Sequence, residues 1–561
     1  MNQSEFQEVH LLNLPDEIFL HIFSYVNISW RENVAQVCKR FYELMCVVER
    51  DCFRLELSYS KICDEEIRRS IVNSSREFED LTIDLHGNKF IEMKHVEDVI
   101  LKFGKRIKRF ELKNFDLSES ELRRIFDCIP NVENLVLDPF RISGYYKSVI
   151  NSNIDISEPN LCKLKKLTIE DWSIPDMSDI LPNILPNILL NAIPKDSIKE
   201  LIISIPVDMS WQEFFNQQTN IKFLEMSTTH EYKNQVKFDH LKLEHLKLGL
   251  YFDEEDVSVI LRQQPGLRYF EADFSESTDH EILTALCDMN NLEILSVNLD
   301  LPYPVFQSLK YLTHLKELEL GIDSGEESNN LLELSRMHLN IEKLILSCEE
   351  IPPGFFIQMI QNFRKLKHIK LWNRYTNIIN TILENFPNLE SIAIEFDYRD
   401  GDVDVLVIDE NLRHEKLEEM IMKGCSVNVD NTRALLSLLN VCPNVERIML
   451  TTYDFYDEDM QQIINDHPKL THLKIVNENF KTKIILEDET IDCIRTAASR
   501  LKFIELYGFL VSPESSLKTL FKDEFNYFRC QFYKGEGNEY TECHPIMKKR
   551  NVSKWNFRWG V

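Results

Sequence analysis

Glycine is scarce in this sequence, with only 14 residues among 561. The one Gly-x-Gly stretch, Gly535-Glu536-Gly537, neither follows a strand pattern nor opens a helix pattern. Because phosphate-binding loops need closely spaced glycines at such a junction, the sequence predicts neither a nucleotide-binding loop nor a dinucleotide-binding fold. The signatures of metalloproteases, serine hydrolases and kinases are also missing, which argues against those classes of enzyme.

Paired cysteines and long apolar runs are lacking as well. The 13 cysteines are odd in number and none forms a Cys-x-x-Cys pair, which argues against a disulfide framework and a zinc ribbon. No run of about 18 apolar residues could span a bilayer, and the polar, acidic residues 1–10 do not resemble a secretory signal. We therefore expect reduced cysteines, no metal, no membrane contact and a cytoplasmic and/or nuclear location.

Positive charge is in deficit, because 64 Lys and Arg face 92 Asp and Glu and the formal net charge is −28. A nucleic-acid groove needs clustered cations to neutralise phosphates, so this balance argues against a nucleic-acid partner. An apolar content of 43% nevertheless indicates a folded chain. A protein partner of neutral or basic character fits the charge balance better.

A repeated pattern, apolar-x-x-apolar-x-apolar, extends from residue 78 to residue 510. One copy reads Leu315-Lys316-Glu317-Leu318-Glu319-Leu320, and we call the second apolar residue of each copy its anchor. The anchors recur at a mean spacing of about 26 residues, which is typical of leucine-rich repeats. They are Leu81, Phe110, Leu135, Leu167, Leu201, Leu224, Leu246, Phe270, Leu295, Leu318, Leu344, Ile369, Ile392, Met420, Ile448, Leu473 and Ile504.

Each copy predicts one short strand, because the anchor and the apolar residue two positions later share a face. Helical patterns fill the intervals, for example at 255–264 and 432–442, and several of them end at a proline. The predicted fold is therefore α/β, a leucine-rich-repeat solenoid with a parallel concave sheet and a helical convex side. An ordinary α/β domain would not keep one period through so many copies. Leu55, 26 residues before Leu81, marks a candidate first copy of atypical sequence.

Two intervals between anchors are long, at 32 and 34 residues, and their excess lies at 140–157 and 174–193. We expect these segments to be loops on the surface of the repeats, and 397–409 also lacks a helical pattern. Long insertions either carry function or are simply tolerated, and the sequence favours neither reading.

Two amphipathic segments precede the repeats, and they predict two or three short helices within forty residues. In the first, Pro15 suits the opening turn of a helix and is followed by two carboxylates. The second spans 30–44 and keeps its apolar residues on one face. So small a piece cannot bury its apolar faces alone, so it needs a neighbour. Periodicity alone does not decide what covers these apolar faces. The segments either cap the repeats of this chain or pack against another protein.

The first segment resembles the start of an F-box, with Leu14-Pro15-x-Glu17-Ile18-x-x-x-Ile22-Phe23-Ser24-Tyr25. The second resembles its end, with Val37-Cys38-Lys39-Arg40-Phe41-Tyr42, although the family usually has Leu at the position of Val26 and Trp at that of Phe41. The resemblance implies a small all-α F-box domain that docks on the Skp-type adaptor of a cullin–RING ubiquitin ligase. The adaptor-facing residues that it implies are Leu14, Pro15, Ile18, Ile22, Phe23, Val37, Cys38 and Phe41.

The residues before, between and after the two inward apolar positions of each strand should face the concavity. In that register the copies from Leu201 to Leu318 are acidic and those from Leu344 to Leu473 are basic. Charges and aromatic residues on a rigid scaffold suit a protein interface, although solvated sheet faces carry charge as well. The predicted substrate-binding residues are Tyr269, Glu271, Glu317, Glu319, Lys370 and Trp372.

The last residues, 511–561, leave the repeat pattern and are rich in aromatic side chains. We expect them to cap the last strand, whose edge would otherwise be open; the alternative is a tail that packs into the concavity or contacts a substrate. The predicted organisation is a tail at 1–9, the F-box-like domain at 10–50, a linker and candidate capping repeat at 51–77, about 17 repeats at 78–510, and a tail or cap at 511–561.

Together, the two regions resemble the F-box/leucine-rich-repeat proteins. That resemblance implies a non-catalytic substrate receptor of a Skp–cullin–F-box ubiquitin ligase, which needs no cofactor and binds a protein target through its repeats. The alternative is a scaffold that binds a neutral or basic protein without ubiquitin transfer. An enzyme within an insertion or the tail has the least support, because no paired carboxylates or nucleophile–base spacing point to one.

Overall fold

Three short helices open the part of the chain that the computed structural model describes. The described residues are 14–24, 26, 28–49, 54–74, 76–85, 93–141, 160–170, 181–205, 207, 209–227, 236–249, 252, 254–273, 280–298, 309–322, 328–337, 339–348, 351, 354–373, 378–396, 407–424, 429–452, 455–477, 484–497, 499–511, 527–533 and 540–542. They divide between two compact units, Met1–Gln264 and Pro265–Val561.

The N-terminal helices are α1 (Asp16–Ser24), α2 (Ile28–Ala35) and α3 (Lys39–Glu49). The segment 30–44 is divided between α2 and α3, so the region holds three short helices, within the predicted two or three. A small core joins the three helices, and its buried members are Phe19, Phe23, Phe41, Leu44 and Met45.

The first unit then builds a parallel sheet in which each strand pairs with the next along the chain. Its strands are β1 (Arg54–Ser58), β2 (Asp80–Asp84), β3 (Arg109–Asp116), β4 (Asn134–Arg141), β5 (Lys166–Ile169), β6 (Glu200–Ile203), β7 (Phe223–Met226) and β8 (His245–Leu248). Each predicted anchor from Leu81 to Leu224 lies opposite the anchor of the next strand, and the last pair is Leu224 and Leu246. Leu55 pairs with Leu81, so the candidate first copy is a strand of the same sheet.

The second unit repeats this arrangement. Its strands are β9 (Tyr269–Asp273), β10 (Ile294–Asn298), β11 (Glu317–Ile322), β12 (Lys343–Cys348), β13 (His368–Asn373), β14 (Ser391–Phe396), β15 (Glu419–Lys423), β16 (Arg447–Thr452), β17 (His472–Asn477), β18 (Ile484–Leu486), β19 (Phe503–Val511), β20 (Tyr527–Tyr533) and β21 (Tyr540–Glu542). The anchors from Phe270 to Ile504 again pair one to one. Beyond them, β20 runs parallel to β19 and β21 pairs with β20 antiparallel, so the sheet continues past residue 510.

Helices fill most intervals between the strands, as the periodicity predicts. In the first unit they are α4 (Tyr59–Cys63), α5 (Glu65–Asn73), α6 (Met93–Phe103), α7 (Glu119–Cys128), α8 (Leu181–Ala192), α9 (Gln212–Gln217) and α10 (Glu254–Gln263). In the second they are α11 (His280–Cys287), α12 (Ser328–Arg336), α13 (Phe355–Met359), α14 (Ile378–Asn385), α15 (Val429–Val441), α16 (Asp457–Asp466) and α17 (Asp488–Ala497). This alternation of parallel strand and helix is the predicted leucine-rich-repeat fold.

The core lies on the anchor side of the sheet. In β12, Leu344 and Leu346 are fully buried whereas Lys343, Ile345 and Ser347 are half-exposed, because successive side chains point to opposite faces. A fully buried leucine contributes about 1.5–3 kcal/mol relative to an exposed one. Every predicted anchor from Leu81 to Ile504 is at most 1% exposed, so the repeated anchors form the core of the sheet.

Polar side chains satisfy the backbone groups at several helix ends. Ser118 begins α7 with a capping box, in which its backbone N–H donates to the Glu121 carboxylate at 2.7 Å. After α10, the buried Gln264 side chain donates to the Phe238 carbonyl at 2.6 Å and accepts the Leu243 N–H at 3.0 Å. The Ser118 bond closes the start of its own helix, and the Gln264 bonds tie the end of α10 to the preceding repeat.

One of the two predicted surface loops is wrong. Residues 181–192, within the segment 174–193, form helix α8, even though Pro186 lies inside it. Leu185, Ile188 and Leu189 are fully buried at helical spacing, so their burial outweighs the backbone hydrogen bond that proline cannot make. The other predicted loop, 140–157, lies outside the described residues from position 142 onward, as does most of 397–409.

Candidate functional site

Helix α1 carries two apolar faces of different character. Phe19 and Phe23 point into the small core, and Phe19 is only 1% exposed. Ile18 and Ile22, one turn apart on an adjoining face, remain 45% and 43% exposed. Two neighbouring isoleucines in water are unfavourable for an isolated chain, so this face is suited to contact with another molecule.

The turn between α2 and α3 adds a third exposed apolar side chain. Val37 is 66% exposed, and its backbone N–H donates to the Val34 carbonyl at 3.2 Å. The next residue, Cys38, is half-buried, and its sulfur accepts the Phe41 N–H at 3.4 Å. These bonds fix the turn that leaves Val37 in solvent.

Arg40 ties the start of α3 to the start of α1. Its Nε lies 2.8 Å from the Asp16 carboxylate and its Nη2 lies 2.7 Å from the Leu14 carbonyl oxygen. The guanidinium also lies 5.1 Å from the centre of the Phe19 ring. This arginine thereby holds the N-terminal turn of α1 in place while the aromatic core holds the rest of the helix.

The eight residues implied as adaptor-facing thus occupy different environments. Pro15, Ile18, Ile22 and Val37 are exposed, and Leu14 and Cys38 are half-buried. Phe23 and Phe41 are buried in the helical core, where they shape the exposed face without forming it. Phe19, which the sequence analysis did not single out, lies between them, and its spacing of four residues from Phe23 is the signal that could have revealed it.

The six predicted substrate-binding residues lie on strands β9, β11 and β13 of the second unit, on the sheet face opposite the anchors. The Tyr269 hydroxyl donates to the Glu271 carboxylate on its own strand. Glu317 pairs with Lys343 at 3.2 Å. Glu319 is exposed, Lys370 and Trp372 are half-buried, and neither Glu319 nor Lys370 has an ion-pair partner among the described residues.

The predicted basic half of this face is largely neutralised by ion pairs between strands. Lys423 lies 3.6 Å from Glu395, and Lys474 lies 3.5 Å from Glu505. Arg447 lies 2.7 Å from Glu419, a carboxylate that is completely buried and also accepts a hydrogen bond from Ser391. The expectation of a basic end is therefore corrected, because Lys343, Lys423, Arg447 and Lys474 each have a carboxylate on an adjacent strand and only Lys370 has no ion-pair partner among the described residues.

A row of buried apolar residues lies between these ion pairs on the same sheet face. The sequence did not predict this row. Ala393, Ile421 and Met449 occupy the same register on β14, β15 and β16, and none is more than 5% exposed. Ile345 packs against them from β12. The face is thus a row of apolar residues beneath longer charged side chains.

His472 on β17 makes the stability of this region depend on pH. Burial, and then the positive charges of Arg447 and Lys502, lower the pKa of His472 to about 4. The folded chain therefore holds a neutral imidazole where the unfolded chain, with a pKa of about 6.5, takes up a proton. The free energy of unfolding should fall by about 3 kcal/mol between about pH 6.5 and pH 4.

Urea unfolding of the wild type and of His472→Gln across this range measures the effect. We expect the wild type to lose more stability than the variant as the pH falls, with the difference complete below about pH 4. Parallel pH profiles for the two proteins would show that His472 is not the group responsible.

The described residues hold no cluster of three metal-ligating side chains. Among them, no helix has both the length and the apolar content needed to cross a bilayer.

Comparisons with known proteins agree with this geometry at the N-terminus. Residues 11–47 match a family model described as F-box-like. None of the curated proteins compared with the chain matches it.

Three solved structures are similar to the chain at low identity. A leucine-rich-repeat protein of Leptospira interrogans is 12% identical over 80% of this chain and 100% of its own, with a TM-score of 0.34. The Rad7 and Elc1 complex of yeast is 14% identical over 72% of this chain and 92% of its own, with a TM-score of 0.36. The TLR13–ssRNA13 complex is 15% identical over 83% of this chain and 56% of its own, with a TM-score of 0.38. Likenesses at these TM-scores bear on neither function nor partners.

The F-box-like match covers the three helices whose core and exposed face are described above. The strands that follow pair in parallel, anchor to anchor, within each unit. The chain therefore has an F-box-like segment at residues 11–47, followed by strands and helices in a leucine-rich-repeat arrangement.

Proposed function

We propose that the chain is the substrate-recognition subunit of a Skp–cullin–F-box ubiquitin ligase. The F-box-like helices would dock on the Skp-type adaptor, and the repeats would hold a protein target for ubiquitination. The chain itself would catalyse no covalent step. Its contribution would be proximity, because a target lysine held close to a loaded ubiquitin-conjugating enzyme gains effective concentration.

The observation that carries the proposal is the exposure of Ile18 and Ile22 within the F-box-like match. These side chains are apolar, adjacent and solvent-accessible, and the described repeats of the first unit do not cover them. Pro15 and Val37 are exposed as well, and Leu14 and Cys38 contribute their half-buried edges. Phe23 and Phe41 would act by keeping the helices in place.

For the target, we propose the sheet face of β9, β11 and β13. Glu319 and Lys370 offer charges without an ion-pair partner among the described residues, and Trp372 offers a half-buried ring. Charged and aromatic side chains of this kind supply much of the energy and selectivity of protein interfaces. A cytoplasmic or nuclear site of action would accompany this role.

The second candidate function is a scaffold that binds its partner without ubiquitin transfer. It uses the same repeat surface but needs no adaptor. The exposed isoleucines of α1 favour the ligase role, because a pure scaffold would have no use for them.

Affinity purification from cells with the proteasome inhibited tests both roles. The wild-type chain should recover adaptor, cullin and target. Ile18→Asp combined with Ile22→Asp should lose adaptor and cullin but keep the target. Glu319→Ala combined with Trp372→Ala should lose the target but keep the adaptor.

Recovery of a target without any adaptor from the wild type would establish the scaffold instead. Loss of both partners in either double variant would point to unfolding, which thermal melts of the purified variants would reveal.

A further inference from the structure

A row of lysines lies at one edge of the sheet in the first unit. Lys165, Lys199 and Lys222 are the residues immediately before β5, β6 and β7. The Lys199 N–H donates to the Lys165 carbonyl at 2.8 Å, and the Lys222 N–H donates to the Lys199 carbonyl at 2.9 Å. The three residues are therefore neighbours at the strand spacing of about 4.8 Å.

The outer two lysines pair away from the middle one. Lys165 lies 2.7 Å from Glu133 on the preceding copy, and Lys222 pairs with Glu244 on the following copy. Lys199, between them, has no carboxylate partner among the described residues.

Two more exposed lysines precede these strands in sequence, Lys163 before β5 and Lys195 before β6. Neither has an ion pair within 4 Å among the described residues, although Lys163 is attracted to Glu133 and Lys195 to Asp196 at longer range. The nearby Asp196 carboxylate is already engaged, because it accepts hydrogen bonds from the backbone and hydroxyl of Thr219 at 2.9 and 2.6 Å. We call Lys163, Lys165, Lys195, Lys199 and Lys222 the lysine edge.

A cleft of about 370 Å³ adjoins the lysine edge and shares Lys163 with it. Its other cations include Lys105, Arg106 and Lys108. Arg106 and Lys108 pair with the cleft carboxylates Glu77 and Glu79, whereas Lys105 is exposed and has no such partner in the described part of the chain. The cleft also contains Glu133, so its four cations face three carboxylates and a small excess of positive charge continues from the edge into a concave site.

The matching edge of the second unit shows what a purely structural arrangement looks like. There Glu293 lies between Arg268 and Lys316 and accepts from both, at 2.7 and 2.6 Å. Signs continue to alternate through Glu342, Lys367 and Glu390. Glu390, Glu418 and Glu446, which directly precede β14, β15 and β16, form a run of carboxylates. Such a run is expected in a chain with more carboxylates than cations, whereas a run of lysines is not.

We propose that the lysine edge docks an acidic peptide segment of a protein partner. Adjacent lysines repel one another, and an incoming row of carboxylates would relieve that repulsion. From Lys165 to Lys222 the edge spans roughly 10 Å, which an extended segment of three to four residues covers. Glu133 and Glu244 bound the row on either side, so a short acidic segment fits, whereas a long polyanion would meet carboxylates at both ends. This inference does not depend on adaptor docking.

Fluorescence anisotropy of the full-length chain with a short labelled polyglutamate peptide tests the proposal. The wild type should bind the probe, and Lys163→Glu combined with Lys199→Glu should weaken binding at least about tenfold, because two attractive charges become repulsive. Raising the salt from about 50 to about 300 mM should weaken wild-type binding too.

The matched control is Lys365→Glu combined with Lys502→Glu, which makes the same charge change at the equivalent positions before β13 and β19. The control should bind the probe as the wild type does. No binding by the wild type, or an equal loss in the control, would overturn the proposal. Tighter binding of a short duplex DNA or of phosphatidylserine vesicles at the same edge would also overturn it, in favour of those ligands.

Discussion

Aspartate in place of Ile18 and Ile22 is expected to abolish binding of a Skp-type adaptor to the full-length chain. Burial of each isoleucine in the complex is worth about 1.5–3 kcal/mol, and a carboxylate placed in an apolar contact adds a desolvation cost. The affinity should therefore fall by more than about 100-fold. Isothermal titration of the purified chain with purified adaptor measures it.

Folding should be unaffected by this double variant, because neither side chain belongs to the helical core. The matched control is Leu101→Asp combined with Ile357→Asp, two side chains on repeat helices that are 65% and 57% exposed. This control removes as much exposed apolar surface but should bind the adaptor like the wild type. Wild-type affinity in the Ile18 and Ile22 variant would remove α1 from the interface.

Truncation of Phe19 to alanine is expected to unfold the N-terminal helices while leaving the repeats folded. Phe19 contacts Phe23 and Phe41 with ring centroids 5.5 and 4.9 Å apart, and it is almost fully buried. A large cavity at such a site costs about 3–5 kcal/mol, which a core of five buried residues cannot absorb. Limited proteolysis should then cut within residues 14–49 in the variant but not in the wild type.

Phe19→Leu provides the comparison, because leucine fills much of the same volume and should keep the segment resistant. Adaptor binding should follow the same order, retained in the leucine variant and lost in the alanine variant. If the alanine variant resisted proteolysis as the wild type does, the aromatic core would not be what organises these helices.

The repeat architecture was predictable because it is written in local periodicity. Each copy needs only an apolar anchor, a second apolar residue two positions later and a helix before the next copy, and all three are visible in a window of 26 residues. Leu81 and Phe110 therefore pair as predicted, and so do Leu473 and Ile504. Helix α8 was not predicted because Pro186 interrupts its helical pattern in the sequence. The helix forms because its apolar residues are buried in the tertiary structure, which the sequence pattern does not reveal.

The sites were harder to predict because they depend on neighbours in space. Arg447 and Glu419 are 28 residues apart in sequence and 2.7 Å apart in the structure, so counting charges along the chain overstated the basic half of the sheet face. In α1, periodicity placed Ile18, Ile22 and Phe23 on one face without revealing which of them the aromatic core would take up. That division follows from the positions of Phe41 and Arg40 on another helix.

Hydroxyl-radical footprinting of the full-length chain, with and without a purified Skp-type adaptor, tests most directly whether the first helix is a docking face. The radicals oxidise accessible side chains, so Ile18, Ile22 and Val37 should react in the free chain and be protected in the complex, while Leu101 and Ile357 react equally in both. Unchanged oxidation of Ile18 and Ile22 at saturating adaptor, or protection confined to the repeat strands, would contradict the account.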